Sequence, residues 1–270
     1  MKLEETLRDG AATRHGTFDV DGPVVVSDSF SLAEAELRFT CPEACLTLRG
    51  PGPFRFEKTR FVHEGGQAPT LLVLEDAWAS FAGCHFQGAN GGTEEALACA
   101  VALLGSSEAR FQDCGFEDND VHIEAKDESA LALSRCHLFQ ALADAVRIGG
   151  NARLNARDCE LLESGWCGLV ATQDAAVDVA STRLSGNGCH GLSAGDRSRL
   201  QTARNSFTGN RQHGMLLHGK ASLLSNEDHL AANDLCGLAD RNRAIAFLSR
   251  ARRTVTRATV CSCAVRPAAC

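Results

Sequence analysis

The 270-residue sequence has no tyrosine and only two tryptophans, and its 13 phenylalanines bring the aromatic share to 6%. A core drawn from it is expected to be mostly aliphatic and small. Basic residues are also short: 27 Lys and Arg stand against 34 Asp and Glu, a net charge of −7. That balance excludes a general nucleic-acid binder, which needs a basic face to meet phosphates. No apolar run reaches the roughly 20 residues that span a bilayer, so no membrane role is expected. The opening MKLEETLRDG has acidic residues and no apolar core, so it does not read as a secretory signal, and a cytoplasmic location is expected. Cysteine is plentiful, but 13 is an odd number without the paired spacings of a small disulfide scaffold. Free, stacked thiols are the reading. Charge is unevenly placed. Seven Arg and no Asp, Glu or Lys follow from Arg241 onward, so the first 240 residues carry −14 (−7 minus +7).

What the sequence does have is a repeat. LLESGWCGLVA from Leu161, LSGNGCHGLSA from Leu184, FTGNRQHGMLL from Phe207 and LAANDLCGLAD from Leu230 follow one another at a step of 23 residues. A fixed period of this length marks a stacked architecture. Taking one large apolar residue per unit as anchor gives Phe39, Phe61, Phe86, Phe116, Leu138, Leu161, Leu184, Phe207 and Leu230, at steps of 22, 25, 30, 22, 23, 23, 23 and 23. The long step after Phe86 holds an insertion, roughly Gln87 to Cys99. Apolar residues precede each anchor by seven positions, and Cys84, Cys114, Cys136, Cys159, Thr182, Asn205 and Asp228 precede it by two. Short period-2 apolar runs between Gly- and Asn-containing corners predict strands. Helical repeats need about 33–47 residues, and the leucine-rich phrase is not kept. The remaining solution is an all-β parallel solenoid of about nine coils over residues 24–240. Residues 1–23 are expected to cap it, with a short helical turn around Lys2–Arg8. Residues 241–270 are expected to form a basic helical cap and a disordered tail.

The phrase of a strand, then Cys or Asn two residues before Phe or Leu, then Gly-x-x-x-Gly followed by Leu or Met, resembles the right-handed parallel β-helix repeat of pectate lyases, polygalacturonases and phage tailspikes. It also resembles the β-helix domain of F-box substrate adaptors and related signalling adaptors. The first resemblance implies polysaccharide hydrolysis or lysis. The second implies recruitment of a protein segment. The motif is structural, and function sits on whatever the coils carry.

Chemistry has several candidate places. Cys167, His190, His213 and Cys236 share one repeat phase and are all zinc-ligand types. Rungs of a sheet lie ~4.8 Å apart, so four of them span ~14 Å, whereas a tetrahedral zinc holds its ligands within ~2.3 Å. The column therefore reads as a corner ladder, with His190 and His213 as the pair able to share an ion, and no cofactor is called for. The Cys ladder reads as small buried hydrophobes. Candidate catalytic residues are Asp120, Asp144 and His190, with Arg147 beside Asp144. They are drawn from the acid–base groups that glycan cleavage needs. Candidate ligand-binding residues are Glu94 and Glu95 in the insertion, and Asp118 and Asp120 in the EDND cluster. The expected function is a monomeric, non-catalytic module binding a protein segment; the alternative is a carbohydrate-active β-helix enzyme acting on a polysaccharide.

Overall fold

Alternating apolar residues let a strand bury one face, and a corner every few residues lets the chain return one rung higher. The computed structural model, which describes residues 15–93, 96–241, 244–249 and 260–262, shows this arrangement. Each coil gives one strand to each of three parallel sheets. Sheet 1 runs from Gly16–Val20 to His229–Ala231, sheet 2 from Pro23–Val26 to Val260–Ser262, and sheet 3 from Phe30–Ala33 to Ile245–Ser249. They hold ten, eleven and ten strands. The stack thus has about ten coils rather than nine, and the described residues contain no helix. Among the described residues, therefore, no helix is long and apolar enough to cross a membrane.

The register repeats without drift. Leu138, Leu161, Leu184, Phe207 and Leu230 form one inward column of sheet 1. Val146, Leu169, Leu192, Met215 and Leu238 do the same in sheet 2. The first anchor is displaced: Leu37, not Phe39, pairs with Phe61. A slip of two keeps a side chain on the same face, so Phe39 is buried as well and lies against His63, with ring centroids 5.3 Å apart. The coils also begin before residue 24, at Gly16. Past residue 240, where a helix was expected, Ile245–Ser249 is a strand paired with Ser222–Asn226. An open sheet edge there favours strand addition. Phe247 in this strand faces outward at 66% exposure, so it does not cap the core. The expected turn at Lys2–Arg8 lies outside the described residues.

Aromatics are few but concentrated. Phe56, Phe81 and Phe111 stack in sheet 3 with centroids 5.0 and 4.5 Å apart. Phe61, Phe86 and Phe116 stack in sheet 1 at 4.3 and 4.8 Å. The two columns interlock edge to face, as in Phe81–Phe86 at 5.7 Å. Later coils replace this core with Leu, Val and Ala.

Polar ladders hold the corners. Between sheets 3 and 1, one residue per coil turns the chain at positive φ, among them Arg135, Asp158, Ser181 and Arg204, at φ between 51 and 55°. The next side chain is then buried: Cys136, Cys159, Thr182 and Asn205. Cys136 and Cys159 are free, and their thiols donate to carbonyls, as Cys136 does to Ser134 at 3.4 Å, whereas Cys189 and Cys236, expected as free thiols, are disulfide-bonded. After sheet 1, Asn187, Asn210 and Asn233 stack. The Asn210 amide donates to Asn233 Oδ1 at 2.9 Å and to the Leu184 carbonyl at 3.2 Å, while its own Oδ1 accepts from the Asn187 amide at 2.9 Å. These bonds satisfy backbone groups that the turn would otherwise bury unpaired.

Candidate functional site

The outward side chains of sheet 2 form a row, Leu72, Ala102, Glu124, Arg147 and Val170. The insertion covers its first two members. Leu97 packs there beside Leu72, Ala102, Cys99 and Val121. The open part of the face therefore begins at Glu124, and from there a hollow of ≈650 Å³ extends over Arg147, Trp166, Val170 and Asp196.

Arg147 is the pivot of this hollow. Its Nε donates to Asp144 Oδ2 at 2.7 Å, and its guanidinium lies 5.7 Å from the centroid of the Trp166 ring. Asp144 is buried, and its other oxygen accepts the Cys167 backbone N–H at 2.8 Å. The Cys167 N–H thus holds Asp144, and Asp144 holds Arg147. On the neighbouring rung Glu124 pairs with Lys126 at 2.9 Å. Trp166 is 39% exposed, the only tryptophan among the exposed large hydrophobics. An exposed indole beside a guanidinium and a carboxylate offers an apolar plate next to hydrogen-bonding groups of both signs. Trp166 was not legible as a site residue when columns were read for shared identity. The signal is its departure from its own corner column, where Ala143, Cys189, Gln212 and Leu235 occupy the other coils.

The other expected residues are placed elsewhere. Asp120 is buried, and its Oδ2 accepts the N–H groups of Gly92 and Ala98, each at 3.0 Å. Asn119 accepts from Ala89 at 3.0 Å. These two residues pin the insertion against the coil, so Asp120 is a clamp rather than a group facing solvent. Asp118 is exposed on the same corner. Glu94 and Glu95 lie outside the described residues. Asp120→Ala is expected to orphan two backbone donors at a cost of about 1–3 kcal/mol. Amide exchange at Gly92 and Ala98 should speed up at least about tenfold; unchanged protection there would show that the clamp is not needed.

His190 and His213 stack on one another within the corner ladder. Their rings stack at 5.2 Å and 12°, and His190 Nδ1 accepts the His213 N–H at 3.3 Å. Both ring nitrogens of His213 are buried without a partner. Burial holds His190 neutral, lowering its pKa to about 4, and it lowers that of His213 too. Burial likewise pushes the Cys167 thiol up to about 12. Among the described residues no three His, Cys, Asp or Glu side chains converge as metal ligands. Asp144 and His190 share a column but stand two rungs apart, ~9.6 Å, so they do not form one catalytic group.

A family profile described as "Right handed beta helix region" matches residues 99–252. Among solved structures, a double mutant of the periplasmic alginate epimerase AlgG matches at 13% identity, covering 93% of this chain and 82% of its own, with a TM-score of 0.55. Endopolygalacturonase I from Stereum purpureum matches at 12% identity, covering 92% and 96%, with a TM-score of 0.47. The enzymatically active domain of Bacteriophage CBA120 tailspike protein 2 matches at 7% identity, covering 87% and 38%, with a TM-score of 0.49. No curated protein sequence matches the chain. At these identities the likeness is one of fold. The match above a TM-score of 0.5 is a structure named as an alginate epimerase rather than as a protein-binding adaptor, which corrects the expectation of a module binding a protein segment. The coil phrase gave no ground to separate the two, because it records stacking alone.

Proposed function

The chain belongs to the right-handed β-helix family, and we propose that it is a carbohydrate-active member that lays an extended polysaccharide along the outer face of sheet 2 and processes it there. The observation that carries this reading is the Trp166–Arg147 pair in an open hollow next to Glu124. The C–H face of a sugar ring packs on an indole, and its hydroxyl or carboxylate oxygens accept hydrogen bonds from a guanidinium. Parallel rungs ~4.8 Å apart make a track for a linear polymer. In this reading Trp166 is the stacking plate and Arg147 orients a ring oxygen substituent. Asp144 is a positioning residue acting through Arg147. Glu124, on the rung beside Arg147, is the carboxylate placed for general acid or base work.

The test is a polysaccharide panel read three ways: reducing ends for hydrolysis, ultraviolet absorbance of unsaturated ends for lysis, and NMR of the polymer for change without cleavage. Glu124→Gln is expected to lower turnover by about a hundredfold. Trp166→Ala is expected to weaken polymer affinity by about tenfold, ~1.4 kcal/mol. A panel in which nothing is bound or altered sinks the reading, and so does activity that survives both changes.

A further inference from the structure

Sheet 3 turns a second face to solvent, and its register produces a pattern unlike that of any other face. The first outward row reads Trp78, Glu108, Ala130, Arg153, Ala176, Arg199 along the stack. Small and large side chains alternate from Ala130 onward, so the face is corrugated. A trough of ≈710 Å³ runs over Ala130 and Ala176, on either side of Arg153. Most charges around it are already matched. Arg110 pairs with Glu108 at 2.6 Å and covers Trp78 at 5.9 Å. Arg157 pairs with Asp178 at 2.6 Å. Arg153 and Arg199 are not matched. Among the described residues neither has a carboxylate within salt-bridge reach, and Arg199 makes one 3.5 Å bond to the Asp174 carbonyl. Two guanidinium groups with no carboxylate within salt-bridge reach thus stand two rungs apart, ~9.6 Å, across Ala176, on a chain whose net charge is −7.

We infer that this trough is a second polysaccharide site, specific for a linear polymer bearing anionic groups about two sugar rings apart. A carboxylate or sulfate on such a polymer meets each guanidinium bidentately. The small floor at Ala176 lets the intervening ring settle between the arginine rungs. The site rests on the proposed function for the polymer class alone.

Affinity electrophoresis of the full chain tests it, with sodium polygalacturonate, neutral dextran or single-stranded DNA cast in the gel. Polygalacturonate is expected to retard the protein, dextran and DNA not. Arg153→Ala/Arg199→Ala should raise the apparent dissociation constant at least about tenfold. Asp178→Asn, which releases Arg157 as a third cation, should lower it, a gain that a misfolded variant does not give. In the Trp166→Ala background, which weakens the sheet 2 site, the remaining retardation should still depend on Arg153 and Arg199. Retardation that survives the double change, or that is equal in DNA, overturns the inference. If the panel shows no alteration of any polysaccharide while arginine-dependent retardation persists, the proposed function falls and this site stands.

Discussion

Phe86→Ala is expected to destabilise the protein by about 3–5 kcal/mol, the range for removing a fully buried phenylalanine. Phe86 is the centre of the interlocked aromatic columns. It stacks on Phe61 at 4.3 Å and Phe116 at 4.8 Å, and meets Phe81 and Phe111 edge to face at 5.7 and 5.8 Å. It is wholly buried. In a solenoid each rung is held mainly by its two neighbours, so the cavity cannot be closed by a distant rearrangement. The melting temperature should fall by about 10 °C. Phe247→Ala is the internal control: that ring is 66% exposed, and its loss should stay within about 0.5 kcal/mol. A Phe86→Ala cost below ~1 kcal/mol would mean that the columns are packed without bearing on stability.

Acidification should destabilise the protein well before its carboxylates titrate. His122 is wholly buried. Its Nδ1 accepts from the Asn119 amide at 3.0 Å, and its Nε2 donates to the Phe139 carbonyl at 3.2 Å, a neutral ring in one tautomer. Burial lowers its pKa to about 3, and that of His190 to about 4. In the unfolded chain each titrates near 6.5. Folded pKa values below unfolded ones mean that the unfolded state takes up protons first as pH falls. Stability is therefore unaffected above about pH 7, and is lost between about pH 6.5 and 4, by an amount on the order of 3 kcal/mol for each histidine. Denaturant midpoints measured from pH 7.5 to 4 should show the decline, and His122→Gln/His190→Gln should flatten it. An equal slope in wild type and double variant would assign the acid sensitivity to other groups.

The coil is legible in the sequence because stacking forces every unit to repeat the same inward pattern. Leu161, Leu184, Phe207 and Leu230 could be aligned by spacing alone, and the structure pairs them. Phe39 was misplaced by two residues because a period-2 pattern is unchanged by that shift. The strand at Ile245–Ser249 was missed because its five residues carry strand or helix equally well, and only the neighbouring edge decides. The site was less legible for a related reason. Repeats draw attention to what recurs, such as the His190–His213 column, whereas Trp166 and Arg147 are departures from their columns. The Asp120 clamp depends on an insertion whose fold the coil pattern does not describe. The Ala–Arg alternation of sheet 3 has a period of 46 residues, Arg153 to Arg199, which becomes visible only when outward positions are separated from inward ones.

The asparagine column has a consequence for how this chain tolerates changes in length. Asn187 and Asn210 each bond one rung up, and all three bond one carbonyl back, so the corner repeats one coupling with no member tied to a particular partner. From Leu138 to Leu230 the step is constant at 23 residues. Removing or duplicating one whole step therefore restores every pairing, while a change of another size inside a strand puts that strand out of register unless a corner absorbs it, as the corner at Gln87–Cys99 does. Length in this part of the molecule is quantised, and the extent of its outer faces can be altered only in whole rungs.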